Sequence, residues 1–440
     1  MPTDTFVVPL YGDLALEEQE AAIRPAPGGR RKVVLATAIA ESSLTIEGVV
    51  AVVDSGLARR NRFDPRRGMS ELVTEDASQA SAAQRCGRAG RLRPGLCVRL
   101  WEESEHQYRP AFDPPELACC DMAPLALNLA VWGTSDPAEL RLLDPIDPAL
   151  LEQGRDLLRR FGALDEKNMA TAHGQALVTM GTHPRLAHML LRAKSWQLGT
   201  MGARLAVLLS ERDPLDRRDV GSDLAHRLRW FQEVGGKSYL RERFSALAED
   251  LGRQAGLDVH RGERLRPEEL ERLGELVATA YPDRVAMANS DRSGFSLAMG
   301  RRGQLPGDDP LLLCKALAVA VADGNGEQVR ILTAARLSLN QLRNCFTDQL
   351  ECRQIVRWDN KENRIMGSEE VRFGALVLET RPLAEMDPLE VRRLLIRVLR
   401  ERGLEALPWT PRLRSLQRRL ELMHARRPEQ WLDRRRSWLQ

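Results

Sequence analysis

The chain has 440 residues, and at roughly 100 to 200 residues per domain it holds several folding units rather than one core. Hydrophobic residues make up 43% and charged residues 29%, ordinary proportions for globular protein, and no apolar run approaches the ~20 residues of a membrane-spanning helix. A net charge of +3 excludes a uniformly basic polyanion binder, so charge is informative only locally.

The opening MPTDTFVVPLYG lacks a basic stretch followed by an apolar run, so no signal peptide is expected and the chain is placed in the cytoplasm. From there to about residue 100, short apolar runs alternate with helical or turn-rich text: FVVPL, LALEEQEAAI, RKVVLAT, VVAVVDSG and LCVRLW. This pattern predicts an α/β domain with buried strands in a mostly parallel sheet. Between VVDSG and QRCGRAGR, the DPRRG turn signal inside NRFDPRRGMSELVT predicts a β-hairpin.

From about 115 the texture becomes helical. LNLAVWG, LLEQGRDLLRRFGAL and MATAHGQALVTM read as a small helical domain with a weak hairpin, a winged helix being one form it could take. HPRLAHMLLRAK, GARLAVLLSER and LAHRLRWFQEV carry apolar residues at three and four spacing and predict a helical bundle to about 280. Beyond YPDRVA the text turns Gly-rich and strand-like (GFSLAMGRRGQLPG, LCKALAVAVADG, RILTAARLS), an α+β region, and from 387 it returns to Arg-rich helix. The arginines from Arg412 to Arg436 fit either a solvated helix face or a nucleic-acid-facing surface. Only six of the 65 basic residues are lysine, a bias that genome composition or phosphate binding would each explain. The seven cysteines are irregularly spaced without a CxxC pair, so reduced structural thiols and no metal site are expected.

QRCGRAGR (84 to 91) concentrates three arginines beside two glycines. If the segment runs on as helix, Gln84, Arg88 and Arg91 share one face. Each glycine costs a helix interior roughly 1 kcal/mol relative to alanine, so Gly87 and Gly90 imply a close backbone contact or a ligand that tolerates no side chain. Two guanidiniums and an amide suit a triphosphate, the arginines neutralising charge on the transferring phosphoryl group and the glutamine orienting water. An exposed basic helix paired with acids is the alternative.

QRCGRAGR resembles motif VI, QRxGRAGR, of the DEAH-box/RHA group of superfamily 2 RNA helicases. ATAIAESSLTI (36 to 46) is similar to that group's motif V, VVDSG follows at the family's interval, and PLYGDLALEEQEAAIRPAP resembles the segment between motifs IV and V. The order of these segments, followed by PGLCVRLW, DPPEL and LLDPIDPALLEQGRDLLRRFGALD, is most similar to the bacterial HrpB-type branch, and the resemblance spans nearly the whole chain.

The resemblance implies a partial second RecA-like helicase domain over 1–112, a winged-helix-like domain over 113–172, a ratchet-like helical bundle over 173–280 and an HrpB-type C-terminal region over 281–440. It implies ATP and Mg²⁺ as cofactors and RNA or single-stranded nucleic acid as partner, with no membrane. Gln84, Arg88 and Arg91 take the γ-phosphate roles, the arginines as fingers. Ser43 and Gly87 couple to nucleotide state. Thr37 bonds the RNA backbone, and Arg59, Arg60, Arg66 and Arg67 of the hairpin contact nucleic acid, the hairpin around Phe63 to Leu72 guiding or separating strands. Motif V departs from the family at Ala38, where Asn is usual, and at Ser42, where Thr is. Ile23 stands where eukaryotic relatives place a phenylalanine that stacks on adenine, which implies a looser base grip.

A helicase of this group needs a P-loop and a DExH segment. Gly236-Lys237-Ser238 is preceded by Phe231 where the P-loop needs its first glycine and lies in helical text, and DEKN (165 to 168) lacks the final His, so neither qualifies. The chain is therefore expected to begin inside the second RecA-like domain. It reads as the C-terminal part of an ATP-dependent RNA helicase, inactive alone for want of the first RecA-like domain. A standalone nucleic-acid-binding module, or one half of a two-chain helicase completed by a RecA-like partner, are the alternatives.

Overall fold

The computed structural model describes residues 4–427 apart from 13, 15, 27, 29, 42–45, 65–68, 92, 234–237, 292, 325–327, 361, 363 and 404–409. It divides into two compact units, one formed by residues 1–214, 228–265 and 322–324, the other by the remainder.

The first unit opens with β1 (Thr5–Leu10), α1 (Leu16–Ile23) and β2 (Arg31–Ala36), followed by β3 (Ala51–Asp54), the hairpin strands β4 (Leu57–Asp64) and β5 (Met69–Asp76), α2 (Gln79–Cys86), β6 (Leu96–Arg99) and α3 (Glu103–His106). β1 pairs in parallel with β2, Val7 opposite Val33, and β3 with β6, Val52 opposite Cys97. The parallel connections follow from the crossover text between each pair, too long for a hairpin. Lys32 Nζ donates to the Ala22 carbonyl at 2.8 Å and also bonds that of Arg24, so β2 caps the end of α1. The expected single parallel sheet is realised among the described residues as these two pairs, and the expected hairpin as β4–β5, with Phe63 opposite Ser70.

α4 (Ala123–Trp132), α5 (Pro148–Arg160), α6 (Ala172–Val178), α7 (Pro184–Ser195) and α8 (Gly199–Ser210) follow. α5 starts where Asp147 accepts from the Ala149 amide at 2.8 Å with Pro148 at its first position, and it buries the stripe Leu150, Leu151, Leu157 and Leu158. An antiparallel bridge joins Leu164 to Ala170 beyond it, the weak hairpin expected there. α8 is buried from Thr200 to Leu208, because α7 and α11 both pack against it. The chain leaves this unit for residues 215–227, which include α9 (Arg217–Val220) and the start of α10 (Leu224–Trp230), then returns for α11 (Ser238–Ala255). There Trp230 meets Phe244 edge-on at 5.6 Å. Gly236 and Lys237 lie outside the described residues; the element before them is the helix α10, and Ser238 begins α11.

The second unit continues with α12 (Pro267–Glu271), α13 (Leu273–Ala280), β7 (Val285–Ala288), β8 (Phe295–Leu297), β9 (Arg302–Gln304), β10 (Ala316–Asp323) and β11 (Gln328–Leu337). The five strands close into a barrel in the order β10-β11-β9-β8-β7, with β9 and β11 parallel. This connectivity is that of an OB-type Greek-key barrel, more specific than the α+β region the text suggested. Phe295, Leu297, Leu317, Val319 and Ile331 fill it. α14 (Leu339–Cys345) leads to an antiparallel sheet of β12 (Glu351–Asp359), β13 (Arg364–Phe373) and β14 (Leu376–Pro382), with α15 (Pro388–Arg402) packed on β12. The Arg-rich α16 (Pro411–Arg426) buries none of its residues.

Candidate functional site

Ser78 starts α2: its backbone is extended and its Oγ accepts from the Ser81 amide at 3.1 Å. The alanines and glutamines that follow favour helix, and the helix ends at Cys86 because Gly87 and Gly90 are poor helix formers. Arg88 and Ala89 continue as a tight turn, their amides donating to Arg85 and Cys86 carbonyls at 3.1 Å. This corrects the expectation that Gln84, Arg88 and Arg91 share one continuous helical face. Gln84 is exposed on the last turn of α2, while Arg88 and Arg91 follow in the turn beyond it. Burial, and after it the charge on nearby Arg91, lowers the pKa of Arg88 against the opposing pull of Glu41.

Motif V meets this turn through Glu41. Glu41 Oε1 accepts from Ser81 Oγ at 2.6 Å and Oε2 from Arg85 Nε at 3.0 Å, while its backbone carbonyl accepts from Arg88 Nε at 3.1 Å. Arg85 Nη1 donates to Asp54 Oδ1 and to the Leu57 carbonyl, each at 3.0 Å. One guanidinium thus ties the motif V loop, the VVDSG strand end and α2 together. Burial opposes the Arg85 charge, but hydrogen bonds with Asp54 and Glu41 outweigh it and raise the pKa. Sequence reasoning passed over Glu41, Asp54 and Arg85, although all three stand inside the quoted motifs; their signal was two acids for one internal arginine.

The hairpin is fixed at its base by Gly56 and Arg109. Gly56 has φ +74°, and a Cβ there would lie 2.7 Å from Trp101 and 2.8 Å from Arg109 Nη2. Arg109 Nη1 donates to the Gly56 carbonyl at 2.6 Å while its guanidinium stacks on Trp101 at 4.4 Å. Of the hairpin arginines, Arg59 is exposed. Arg60 is held by Glu75 at 2.8 Å and by Asp113, two acids that a phosphate would have to compete with for its guanidinium. Ser43, Arg66 and Arg67 lie outside the described residues. Thr37 is exposed at the end of β2, its amide bonded to the Leu10 carbonyl at 3.1 Å, and Gly87 is the exposed C-cap of α2.

On the other side of the turn, Gly95 packs against Ala89: a Cβ at Gly95 would lie 2.1 Å from the Ala89 carbonyl oxygen. This close backbone contact folds β6 back beside the end of α2 and brings the Cys97 thiol within hydrogen-bonding reach of Cys86. Paired guanidiniums with a nearby amide suit phosphate oxygens. Among the described residues no group of three or more His, Cys, Asp or Glu side chains could hold a metal ion.

The helicase conserved C-terminal domain family matches residues 4–93. ATP-dependent RNA helicase HrpB of Escherichia coli (strain K12) is 33% identical over 420 residues, 95% of this chain and 49% of that protein. ATP-dependent RNA helicase HrpA of the same organism is 35% identical over 231 residues, 51% of this chain and 18% of its own. The crystal structure of the E. coli DExH-box NTPase HrpB matches at a TM-score of 0.77 and 32% identity, over 99% of this chain and 52% of that one. The chain spans about half the length of the HrpB protein it matches. In sequence and fold the chain is similar over nearly its whole length to about half of HrpB, and its residues 4–93 match the helicase conserved C-terminal domain.

Proposed function

We propose that this chain acts as the C-terminal part of an ATP-dependent RNA helicase, supplying half of an ATP site and half of an RNA grip. The observation that carries this reading is Glu41, whose carboxylate and carbonyl join motif V to Ser81, Arg85 and Arg88 of motif VI. ATP, when bound, supplies the phosphoryl group. Arg88 and Arg91 neutralise its oxygens, Gln84 orients the attacking water, and Ser43 with Gly87 relays nucleotide state. Mg²⁺ is held elsewhere in the complete site. Thr37 bonds the RNA backbone, and Arg59, Arg66 and Arg67 hold strands along the hairpin. Residues 113–172 serve as a winged helix and 173–280 as a ratchet-like bundle beside the RNA path, and the working compartment is the cytoplasm.

With motifs V and VI but neither a Walker A nor a DExH sequence, the isolated chain has no ATPase activity. Mixed with a separately produced first RecA-like domain, it is expected to hydrolyse ATP in an RNA-stimulated manner, and Arg88→Ala abolishes this. Turnover by the pure chain that is lost on Arg88→Ala would overturn the half-site reading. RNA binding without any complementation would favour a standalone nucleic-acid-binding module.

One observation favours completion by another RecA-like segment, in the same polypeptide or on a partner chain. In register, Val7, Val33 and Leu35 share one strand face, as do Val53, Leu96 and Val98, and all six are exposed, Val53 at 67% and Leu96 at 62%. Exposed apolar strand faces of this kind are seats for further structure rather than solvated faces.

A further inference from the structure

Two thiols, Cys86 within motif VI and Cys97 on β6, are given no role by the function proposed above. Cys86 is the last residue of α2, next to Arg85, whose guanidinium reaches Asp54 at the end of β3. Cys97 lies on β6, in register with Val52 of β3. α2 packs on β3, and the backbone contact between Ala89 and Gly95 closes the loop that separates the cysteines. Both side chains are partly exposed, so a small oxidant reaches them. Their thiols lie within hydrogen-bonding reach of each other.

We propose that Cys86 and Cys97 are a modification site, a dithiol that a peroxide converts to a reversible disulfide tying the end of α2 to β6. The Cys86 sulfur attacks a peroxide oxygen and the O–O bond breaks, giving a sulfenic acid and water. The Cys97 sulfur then attacks the sulfenic sulfur, the S–O bond breaks, and the departing hydroxide leaves as water with the Cys97 proton. Two thiols and one hydrogen peroxide thereby yield one disulfide and two waters, the sulfurs losing two electrons to the peroxide oxygens. Burial and the neighbouring Cys86 thiol push Cys97 up to about 11, so Cys97 keeps its proton until that second step. In reducing surroundings the bond is transient, opened by exchange with a small or protein dithiol. Because Gly87 and Arg88 follow Cys86 directly, the bond immobilises the turn that carries Arg88. This inference does not depend on the helicase reading.

The test treats the full chain with limiting hydrogen peroxide, blocks remaining thiols with N-ethylmaleimide, and maps an unreduced tryptic digest by mass spectrometry. The expected dominant oxidised form of Cys86 is peptide 86–88 joined to peptide 92–99, lost on treatment with dithiothreitol. Hydrogen exchange of the amides from Gly87 to Arg91 is expected to slow in the oxidised form and recover on reduction. In Cys97→Ala the linked peptide disappears and Cys86 is captured by dimedone as a sulfenic acid. Recovery of Cys86 and Cys97 as alkylated thiols while the exposed Cys352 is oxidised would overturn the proposal. So would separate oxidation of either to sulfinic acid, or linkage of Cys86 to any other cysteine.

Discussion

Replacing Arg85 with alanine tests whether one guanidinium holds motifs V and VI together. The Arg85 side chain is 15% exposed, that of Glu41 16% and that of Asp54 2%. Without Arg85, Asp54 Oδ1 keeps only the Gly56 amide at 3.0 Å, and Oδ2 already lacks a hydrogen-bond partner. Stranding one member of a buried pair costs about 3–5 kcal/mol. Glu41 is less enclosed, keeps Ser81 and gains water, so the expected local loss is about 2–4 kcal/mol. Arg85→Lys recovers less than half, because a single ammonium cannot reach Glu41, Asp54 and the Leu57 carbonyl together. Adding Asp54→Asn to Arg85→Ala removes the stranded charge, so the double variant is expected to be more stable than Arg85→Ala alone. A chain with two compact units has no single melting transition, so the measurement is native-state hydrogen exchange of peptides spanning β3 and α2. A loss of about 3 kcal/mol accelerates exchange there by about two orders of magnitude. Exchange changed less than about threefold in Arg85→Ala, or further accelerated by Asp54→Asn, would refute the clamp.

Gly56→Ala is expected to destabilise the hairpin base by about 2–4 kcal/mol, the left-handed backbone and displacement of Trp101 each contributing, and faster exchange in β4 and β5 would report it. His188 stacks on Phe161 at 4.4 Å and shares a 2.9 Å hydrogen bond with His173; burial, His173 and Arg192 lower its pKa to about 3. Since the unfolded chain binds a proton there near pH 6.5 and the folded chain does not, stability is full above about pH 6.5 and falls as pH drops toward about 3. The loss from this group is about 2 kcal/mol by pH 5, and His188→Phe flattens the pH dependence of the hydrogen-exchange protection factors of α5 and α7 between pH 7 and 5; an unchanged slope would contradict the assignment. For RNA binding, Arg59→Ala is expected to weaken affinity for single strands and to reduce the log–log salt slope by about 0.7, whereas Arg60→Ala, already paired with Glu75 and Asp113, leaves the slope unaltered. Filter binding across a salt series separates the two.

Much of the first unit was legible because its signals are local. The apolar runs FVVPL, RKVVLAT and LCVRLW became β1, β2 and β6, DPRRG marked the hairpin, and the amphipathic spacing in LLEQGRDLLRR became α5. The site was legible as a set of motifs but not as a clamp. Gly87 and Gly90 suggested a close backbone or ligand contact rather than the helix end at Cys86, and the choice of Glu41 and Asp54 as partners for Arg85 joins residues 44 and 31 positions apart, a pairing no local pattern encodes. The pairing of Arg60 was hidden for the same reason: its partner Asp113 is 53 positions away. The barrel escaped detail because its parallel contact of β9 with β11 is long-range.

By itself the sequence determined which residue types could meet a phosphate, in Gln84, Arg88 and Arg91, and that motif V precedes them at the family's spacing. Chemistry of that kind is carried by side-chain identity and short-range order. Only the tertiary structure decided that Arg88 turns onto the Glu41 carbonyl, that Arg60 is paired with Glu75, and that Gly95 brings Cys97 against Cys86. Those outcomes depend on which distant groups burial forces together, because a buried charge or donor must find a partner wherever the fold supplies one.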